Sequence, residues 1–195
     1  VTDSLPYDST YLDGKFGAWL EGNAVVTPDG NVADLLRVDY APGPEYAALI
    51  RLCDSVSFDP FDTEKDFVRM PGGAKKFTVR YDSLSGRYWS LVNYVTQEWA
   101  GKQNPAWVRN TLALSSSPNL QEWTVHRTVL HHPDIAKHGF QYADWLFDGN
   151  DIVLLSRTAY DDNGTGAHNC HDANYMTFHR IKDFRKALTE QAGNR

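Results

Sequence analysis

Glu21 and Arg37 are the first two residues of the chain whose types and spacing suggest chemistry. Between them lie a strand-like segment, turn residues at Thr27–Gly30 and a return strand at 32–38, which together predict a β-hairpin. Because a hairpin brings its two ends together, we expect the carboxylate and the guanidinium to lie side by side. Such a pair is either a polar functional site or an ordinary cross-strand ion pair, and the hairpin alone leaves both interpretations open.

A second polar cluster stands at the beginning of another predicted hairpin. It consists of Gln141, Tyr142 and Asp144, and this hairpin turns at Asp148–Gly149 and ends at Arg157. The arrangement repeats that of the first hairpin, with polar groups at the entry and an arginine at the exit. The recurrence predicts that both hairpins present their polar ends in equivalent positions.

A third hairpin lies between these two, and each hairpin is followed by at least one more strand-like run. The third hairpin covers residues 76–94, and the additional runs are 46–52, 110–115 and 174–179. Because the hairpins begin roughly 60 residues apart, the repeat predicts four-stranded antiparallel β-propeller blades.

The composition agrees with a single all-β segment of 195 residues with a short helical tail at 183–192. Aromatic residues make up 13%, which favours strands, and the net charge of −6 argues against a nucleic-acid partner. The chain contains no run of 18 apolar residues, so we predict no membrane span. Cys53 and Cys170 are too few for a disulfide framework, and a single bridge between them is not favoured.

Three segments resemble the sialidase-like (Asp-box) β-propeller superfamily. Glu21–Arg37 is similar to a sialidase blade in its spacing from acid to turn glycine and from acid to arginine. Tyr142-Ala143-Asp144-Trp145 resembles the Tyr-Ser-Asp-Leu that carries the sialidase nucleophile, although its loop is two residues shorter. Ser115–Thr124 resembles a degenerate Asp-box in which Asn119 replaces the aspartate. More closely, the chain resembles the C-terminal half of uncharacterised bacterial sialidase-like glycosidases.

The resemblance implies about three blades, at residues 16–60, 72–130 and 138–184, with a tail at 185–195. Three blades are half of a six-bladed ring, so either a second copy of the chain or the other half of a longer polypeptide would complete it. The resemblance also implies that the acid/base aspartate and the first substrate-binding arginine lie upstream of Val1. It further implies a secreted protein, extracellular or periplasmic, although no signal sequence is visible.

The polar residues form a coherent set for retaining glycoside hydrolysis. We predict Tyr142 as the nucleophile and Glu21 as its base, because tyrosine has an ordinary pKa of about 10 and needs a carboxylate to accept its proton. Asp144 is a further catalytic candidate. Forked guanidinium groups suit a substrate carboxylate, and the predicted substrate-binding residues are Arg37, Arg109, Arg157 and Gln141. The alternatives are a buried structural tyrosine and arginines that only pair neighbouring strands.

A histidine-rich segment at 167–174 lies in the last predicted loop. We predict that His168, His171 and Asp172 contact substrate hydroxyls or supply an acid, and the alternative is a loop that only seals the last blade. The spacing His-x-x-His-Asp matches no strong zinc signature, and the acidic run at 161–163 is more typical of a turn than of a calcium site. We therefore predict no metal and no cofactor.

These observations predict a sialidase-like glycosidase that cleaves a terminal sugar, acidic sugars included, with retention of configuration. One rival interpretation is a polysaccharide lyase that abstracts a proton next to a uronate carboxylate. The other is a carbohydrate-binding propeller, or a fragment of a larger enzyme, without catalysis of its own.

Overall fold

The computed structural model describes residues 4–40, 43–52, 57 and 59–190. In this part of the chain the fold is almost entirely β. The strands are β1 (Phe16–Val26), β2 (Val32–Tyr40), β3 (Tyr46–Leu52), β4 (Phe67–Arg69), β5 (Val79–Asp82), β6 (Arg87–Asn93), β7 (Thr111–Ser117), β8 (Thr124–His131), β9 (Gly139–Asp148), β10 (Asp151–Ala159) and β11 (Tyr175–Ile181). Short helical segments occur at Tyr11–Gly14, Pro105–Trp107, Phe184–Lys186 and Ala187–Glu190.

The strands form three antiparallel sheets in chain order. The first sheet has the order β1-β2-β3-β4, the second has the order β5-β6-β7-β8, and the third has the order β9-β10-β11. All three predicted hairpins are present, and the predicted all-β architecture of antiparallel sheets is confirmed. Two details differ from the prediction: β4 extends the first sheet to Arg69, and the described part of the third sheet has three strands.

Local turn chemistry explains why β1 returns as β2. The backbone N–H of Gly30 donates to the carbonyl of Thr27 at 2.9 Å, and the N–H of Thr27 donates to Asn31 at the same distance. Gly30 has a φ of +85°, which glycine adopts at little cost. A second turn, between β7 and β8, is held by Asn119, whose side-chain oxygen accepts from two backbone N–H groups as an Asp-box aspartate would.

Apolar side chains fill the two spaces between adjacent sheets. Leu35 and Leu49 of the first sheet pack with Val92 of the second. Trp89 of the second sheet packs in one cluster with Trp145 of the third, and both indoles are almost completely buried. Burial of a large apolar side chain contributes roughly 1.5–3 kcal/mol, so these two interfaces fix the sheets relative to one another.

Hydrogen bonds link the first strands of the three sheets to one another, through residues in these strands or directly next to them. Asn23 of β1 exchanges two hydrogen bonds with the backbone of Val79 in β5, at 3.1 and 3.2 Å. The indole N–H of Trp145 in β9 donates to the carbonyl of Thr78 at 3.1 Å, and Arg80 donates to the carbonyl of Trp145 at 2.6 Å. The strands β1, β5 and β9 therefore lie next to one another and bring their polar residues together.

The C-terminal segment is helical from Phe184 to Glu190, within the predicted tail. Among the described residues, no helix is long and apolar enough to cross a membrane. Cys170 is a buried free thiol, and Cys53 lies outside the described residues.

Candidate functional site

Glu21 and Arg37 meet as the hairpin predicts. A register shift between Trp19 and Gly22 places Glu21 in an irregular part of β1, next to Arg37 of β2. Arg37 Nη1 donates to Glu21 Oε2 at 2.6 Å, and Arg37 Nη2 donates to the carbonyl of Ala74 at 2.8 Å. The Arg37 side chain is 10% exposed and the Glu21 side chain 50% exposed, so the carboxylate remains open to a ligand.

The surroundings of Glu21 favour its charged form. Burial would raise the pKa of Glu21, but its own backbone N–H and the charges of Arg37 and Lys76 outweigh this and hold the pKa below its ordinary value. Lys76 also donates to the carbonyl of Gly22 at 3.2 Å, which keeps the ammonium next to the hairpin. Glu21 is therefore a carboxylate at neutral pH.

Tyr142 occupies a strained position at the start of β9. Its φ is +51°, in the left-handed region, which costs a residue with a Cβ about 1–2 kcal/mol. The pairing of β9 with β10 slips between Leu155 and Arg157, so Tyr142 lies in a β-bulge. Bulges of this kind re-aim a side chain, and strained residues of this kind concentrate at functional sites.

Two guanidinium groups face the ring of Tyr142. The guanidinium carbon of Arg157 lies 5.2 Å from the ring centre, and that of Arg109 lies 5.9 Å from it. The ring of His171 stands edge-on to the same tyrosine, with a centre-to-centre distance of 6.1 Å. Two cationic groups and one imidazole therefore lie around the Tyr142 ring.

Gln141 binds Arg109 directly and shares a hydrogen-bond acceptor with Arg157. Its side-chain oxygen accepts from Arg109 Nη1 at 2.7 Å, and its amide nitrogen donates to the carbonyls of Cys170 and His171 at 2.9 and 2.7 Å. Arg157 Nη2 donates to the same His171 carbonyl at 2.9 Å. Gln141 is fully buried and does not contact solvent. Its hydrogen bonds therefore serve to orient the arginines.

Positive charge accumulates around this point. Burial lowers the pKa of Arg109, and the charge of Arg37 lowers it further, whereas Tyr142 and Cys170 act in the opposite direction. Burial also lowers the pKa of Lys75, and the charges of Arg109 and Arg37 lower this pKa further. Three cationic side chains, Arg37 of β2, Lys75 before β5 and Arg109 before β7, therefore lie within one electrostatic cluster. An anionic ligand would relieve their repulsion.

A polar cavity of about 420 Å³ opens beside Tyr142. The cavity is lined by Asn23, Ala24, Lys76, Thr78, Val79, Arg80, Tyr142, Ala143 and Asp144. Asp144 is largely exposed and lies 3.1 Å from Arg80. The cavity has the volume of a typical small-ligand site and is contributed by β1, the β5 segment and β9 together.

The three predicted residues of the histidine-rich segment lie in different surroundings. His171 contributes its backbone carbonyl to Gln141 and Arg157, and its ring to Tyr142. Asp172 accepts hydrogen bonds from His171 and Asn169, which lower its pKa. His168 is highly exposed and is 3.6 Å from Asp172. The structure thus brings His171 into contact with Tyr142. The described contacts of His168 include none with Tyr142.

A separate cluster of His132, His138 and Asp161 has ligand atoms within 4.8 Å of one another. His138 Nδ1 donates to Asp134 at 2.9 Å, so its Nε2 has a free lone pair. His132 Nδ1, however, accepts from the Asp134 backbone N–H at 3.1 Å, so neutral His132 carries its proton on Nε2. Neither nitrogen of His132 then offers a free lone pair, and the remaining two ligands are fewer than a metal site needs.

Sequence reasoning missed the lysines and the glutamate that surround the arginines. Lys75 is fully buried and paired with Glu45, and Lys76 lines the cavity beside Tyr142. The signal in the sequence was a pair of lysines shortly after a Pro-Gly-Gly run. Because this run leads into a strand and not into a helix, it did not suggest an anion site. Their role depends on contacts between distant segments.

No protein-family model matches the chain, and no curated protein matches it. Its fold is similar to that of an α-L-arabinanase from Penicillium chrysogenum complexed with arabinobiose, with a TM-score of 0.54 and 11% identity over 91% of this chain and 49% of that chain. It is also similar to an α-L-arabinofuranosidase from Fusarium graminearum bound to an iminosugar inhibitor, with a TM-score of 0.51 and 10% identity over 91% and 48%. A leech intramolecular trans-sialidase matches with a TM-score of 0.49 and 15% identity over 88% and 24%.

At these identities the similarities show the fold. The β-propeller fold of antiparallel sheets predicted from the sequence is confirmed. This chain spans about half the length of the first two structures that it matches. The roles of the individual site residues stay predictions.

Proposed function

We propose that this chain carries part of the active site of a glycoside hydrolase that releases a terminal sugar bearing a carboxylate. The observation on which the proposal rests is the approach of two guanidinium groups to the Tyr142 ring, that of Arg157 at 5.2 Å and that of Arg109 at 5.9 Å from the ring centre. The similar structures named as an arabinanase and an arabinofuranosidase support a glycosidase in general. The charge of the site supports the choice of an acidic sugar.

The charge balance distinguishes an acidic sugar from a neutral one. Arg37 is paired with Glu21, and Lys75 is paired with Glu45. The described hydrogen bonds of Arg109 and Arg157 go to neutral carbonyl and amide oxygens, which leaves two guanidinium charges in excess beside Tyr142. A neutral sugar would leave this excess uncompensated in a partly buried site, and a carboxylate would offset it through charge-assisted hydrogen bonds. Arg157 and Arg109, together with Arg37, whose charge acts on Arg109, are the residues proposed to hold that carboxylate beside Tyr142.

The proposed reaction proceeds in two displacements. The Tyr142 oxygen attacks the anomeric carbon, its proton passes to the Glu21 carboxylate, and the bond to the leaving alcohol breaks as that oxygen is protonated. Water then attacks the same carbon from the opposite side, and the bond between that carbon and the tyrosine oxygen breaks with net retention. The tyrosine oxygen recovers its proton from Glu21, and the proton of the water passes to the group that protonated the leaving alcohol. Among the described residues, none is assigned as the proton donor to the leaving group.

The test is turnover by the wild-type chain and by Tyr142→Phe. The substrates are the 4-methylumbelliferyl glycosides of N-acetylneuraminic acid, glucuronic acid and arabinofuranose. We expect turnover of a carboxylated substrate to disappear in Tyr142→Phe while binding remains, and to persist in the control Tyr175→Phe, an exposed tyrosine of β11. Preferred cleavage of the arabinofuranoside, or unchanged turnover by Tyr142→Phe, would refute the proposal.

A polysaccharide lyase is the second candidate, because His171 and Arg157 flank Tyr142 and are groups that proton abstraction beside a uronate would use. A lyase leaves an unsaturated product that absorbs in the near ultraviolet, whereas a hydrolase leaves only reducing sugar. Binding of the acidic sugar without either product would instead indicate a carbohydrate-binding propeller without catalysis.

We also propose that this protein acts as part of a complete ring, outside the cytoplasm. A second copy or another part of a longer polypeptide would supply the remaining sheets. One face of the third sheet supports this, because it exposes the apolar side chains of Leu146, Leu155, Met176 and Phe178. An apolar sheet face of this size is normally covered by another sheet.

A further inference from the structure

Lys75 and Glu45 form a buried ion pair that the proposed reaction does not use. The side chains are 0% and 8% exposed, and the Lys75 ammonium contacts a Glu45 carboxylate oxygen. The same ammonium donates to the carbonyl of Pro105 at 2.9 Å. Removing two charges from water is costly, and apolar residues of similar size are often at least as stabilising, so stability alone does not explain the pair.

On one side, the pair organises the loop that precedes β5. The Glu45 carboxylate accepts from the backbone N–H of Gly72 at 2.9 Å and of Ala74 at 3.4 Å. The loop packs closely against β3, since a Cβ at Gly73 would lie 2.5 Å from the carbonyl oxygen of Tyr46. The carbonyl of Ala74, the residue before Lys75, accepts from Arg37 at 2.8 Å. Glu45 therefore sets the carbonyl that orients Arg37.

On the other side, the pair anchors the short helical segment Pro105–Trp107. Lys75 binds the carbonyl of Pro105, and the next carbonyl, that of Ala106, accepts from Arg109 Nε at 2.9 Å. Lys75 thus holds the carbonyl of Pro105, and the carbonyl of the next residue, Ala106, orients Arg109. A single buried pair is thus connected to Arg37 of β2 and to Arg109, which lies just before β7.

We propose that the Lys75–Glu45 pair is the positioning element that sets Arg37 and Arg109 to bind a sugar carboxylate beside Tyr142. This inference rests on the proposed function and adds residues that act through the arginines. The pair holds two carbonyl oxygens in place before the ligand arrives, so the guanidinium groups need no rearrangement when it binds. Its effect is therefore on affinity for the charged group of the ligand.

The experiment uses the double variant Lys75→Met/Glu45→Gln. The double change avoids an unpaired buried charge, and the glutamine oxygen still accepts from the Gly72 backbone, so the fold is retained. The control is Lys65→Met, which removes the exposed pair with Asp62. Binding of N-acetylneuraminic acid and of glucuronic acid is measured by calorimetry and compared with binding of their uncharged methyl esters.

We expect the Kd of a carboxylated sugar to rise about tenfold, or 1.4 kcal/mol, in the double variant and to stay unchanged in the control. The Kd of the methyl ester should hardly change. A merely structural role would weaken both ligands in parallel, and that outcome, like unchanged binding of both, overturns the proposal.

A second readout does not depend on the sugar. In protein labelled with ¹⁵N-arginine, the Nε–H of Arg109 should be protected from exchange in the wild type and exposed in the double variant. If the wild type binds no carboxylated sugar, the proposed function fails, and this measurement still decides whether the pair positions Arg109. Retained protection in a folded double variant overturns the inference alone.

Discussion

The guanidinium carbon of Arg157 lies 5.2 Å from the centre of the Tyr142 ring. The two residues are 15 positions apart on neighbouring strands, and the slip in pairing between β9 and β10 brings them together. The contact joins the proposed nucleophile to a guanidinium group that is proposed to bind a carboxylate, and Arg109, just before β7, makes a similar approach at 5.9 Å. This relationship carries the proposed function.

Arg157→Lys should weaken binding of a carboxylated sugar about tenfold, because lysine keeps the charge but loses the two parallel donors of the fork. The loss corresponds to roughly 1.5 kcal/mol for one charge-assisted hydrogen bond. Calorimetry with glucuronic acid checks it, and Arg127→Lys, in β8 away from the tyrosine, is the matched control. Equal affinities of wild type and Arg157→Lys would show that Arg157 does not hold the carboxylate.

Glu21→Gln should remove the acidic limb of the activity profile. The pKa of Glu21 is held below its ordinary value of 4.5, so the base remains ionised until the pH falls through that lower pKa. Wild-type kcat/KM should therefore decline only below about pH 4.5, and Glu21→Gln should be slow at every pH without this decline. The profile of the exposed control Glu122→Gln should match the wild type. An unchanged acidic limb in Glu21→Gln would assign that ionisation to another group.

Arg185→Ala should destabilise the fold by about 2 kcal/mol, because it leaves the carboxylate of Asp82 buried without its main partner. Arg185 donates to both Asp82 oxygens, at 2.7 and 2.8 Å, and so ties the tail to the second sheet. Urea denaturation measures the loss, and Lys65→Ala, in an exposed pair, should cost far less.

This loss should depend on pH in a defined direction. Burial would raise the pKa of Asp82, but hydrogen bonds from Arg185 and Ser85 outweigh it and lower the pKa below 3.8. A lowered pKa in the folded state means that the stabilisation is complete above pH 3.8 and disappears as the pH falls through the folded value. The difference between wild type and Arg185→Ala should therefore shrink in acid. A difference that grows in acid would contradict this assignment.

The exposed face of the third sheet should promote self-association. Phe178 and Met176 are 63% and 65% exposed. We expect the wild-type chain to sediment with about twice the mass of one chain, and Phe178→Lys/Met176→Lys to sediment as a monomer. A monomeric wild type would exclude ring completion by a second copy and favour a longer polypeptide.

The local parts of this fold could be predicted from the sequence. The Glu21–Arg37 contact follows from one hairpin, whose turn residues and strand lengths are all within 17 positions. The approach of Gln141 to the loop at 167–174 was not predictable in the same way. It requires Gly139, where a Cβ would lie 2.3 Å from the carbonyl oxygen of Cys170, and a single glycine in the sequence does not identify its neighbour.

The strained backbone of Tyr142 and the burial of Lys75 were also beyond sequence reasoning. A positive φ at a tyrosine runs against its local preference and is imposed by the pairing of β9 with β10. A lysine side chain is normally exposed, so the sequence predicts exposure for Lys75. Only the arrangement of Glu45 and Pro105 around it accounts for its burial. In both cases, contacts between distant segments override the local tendency.

The central claim is that Tyr142 attacks the sugar, and covalent trapping tests it most directly. The protein is incubated with a 3-fluoro derivative of N-acetylneuraminyl fluoride, digested with trypsin and analysed by mass spectrometry. We predict that the sugar mass is found on Tyr142, within the tryptic peptide of residues 138–157, and is absent from Tyr142→Phe. A label on any other residue, or an equal label on Tyr142→Phe, would contradict the account.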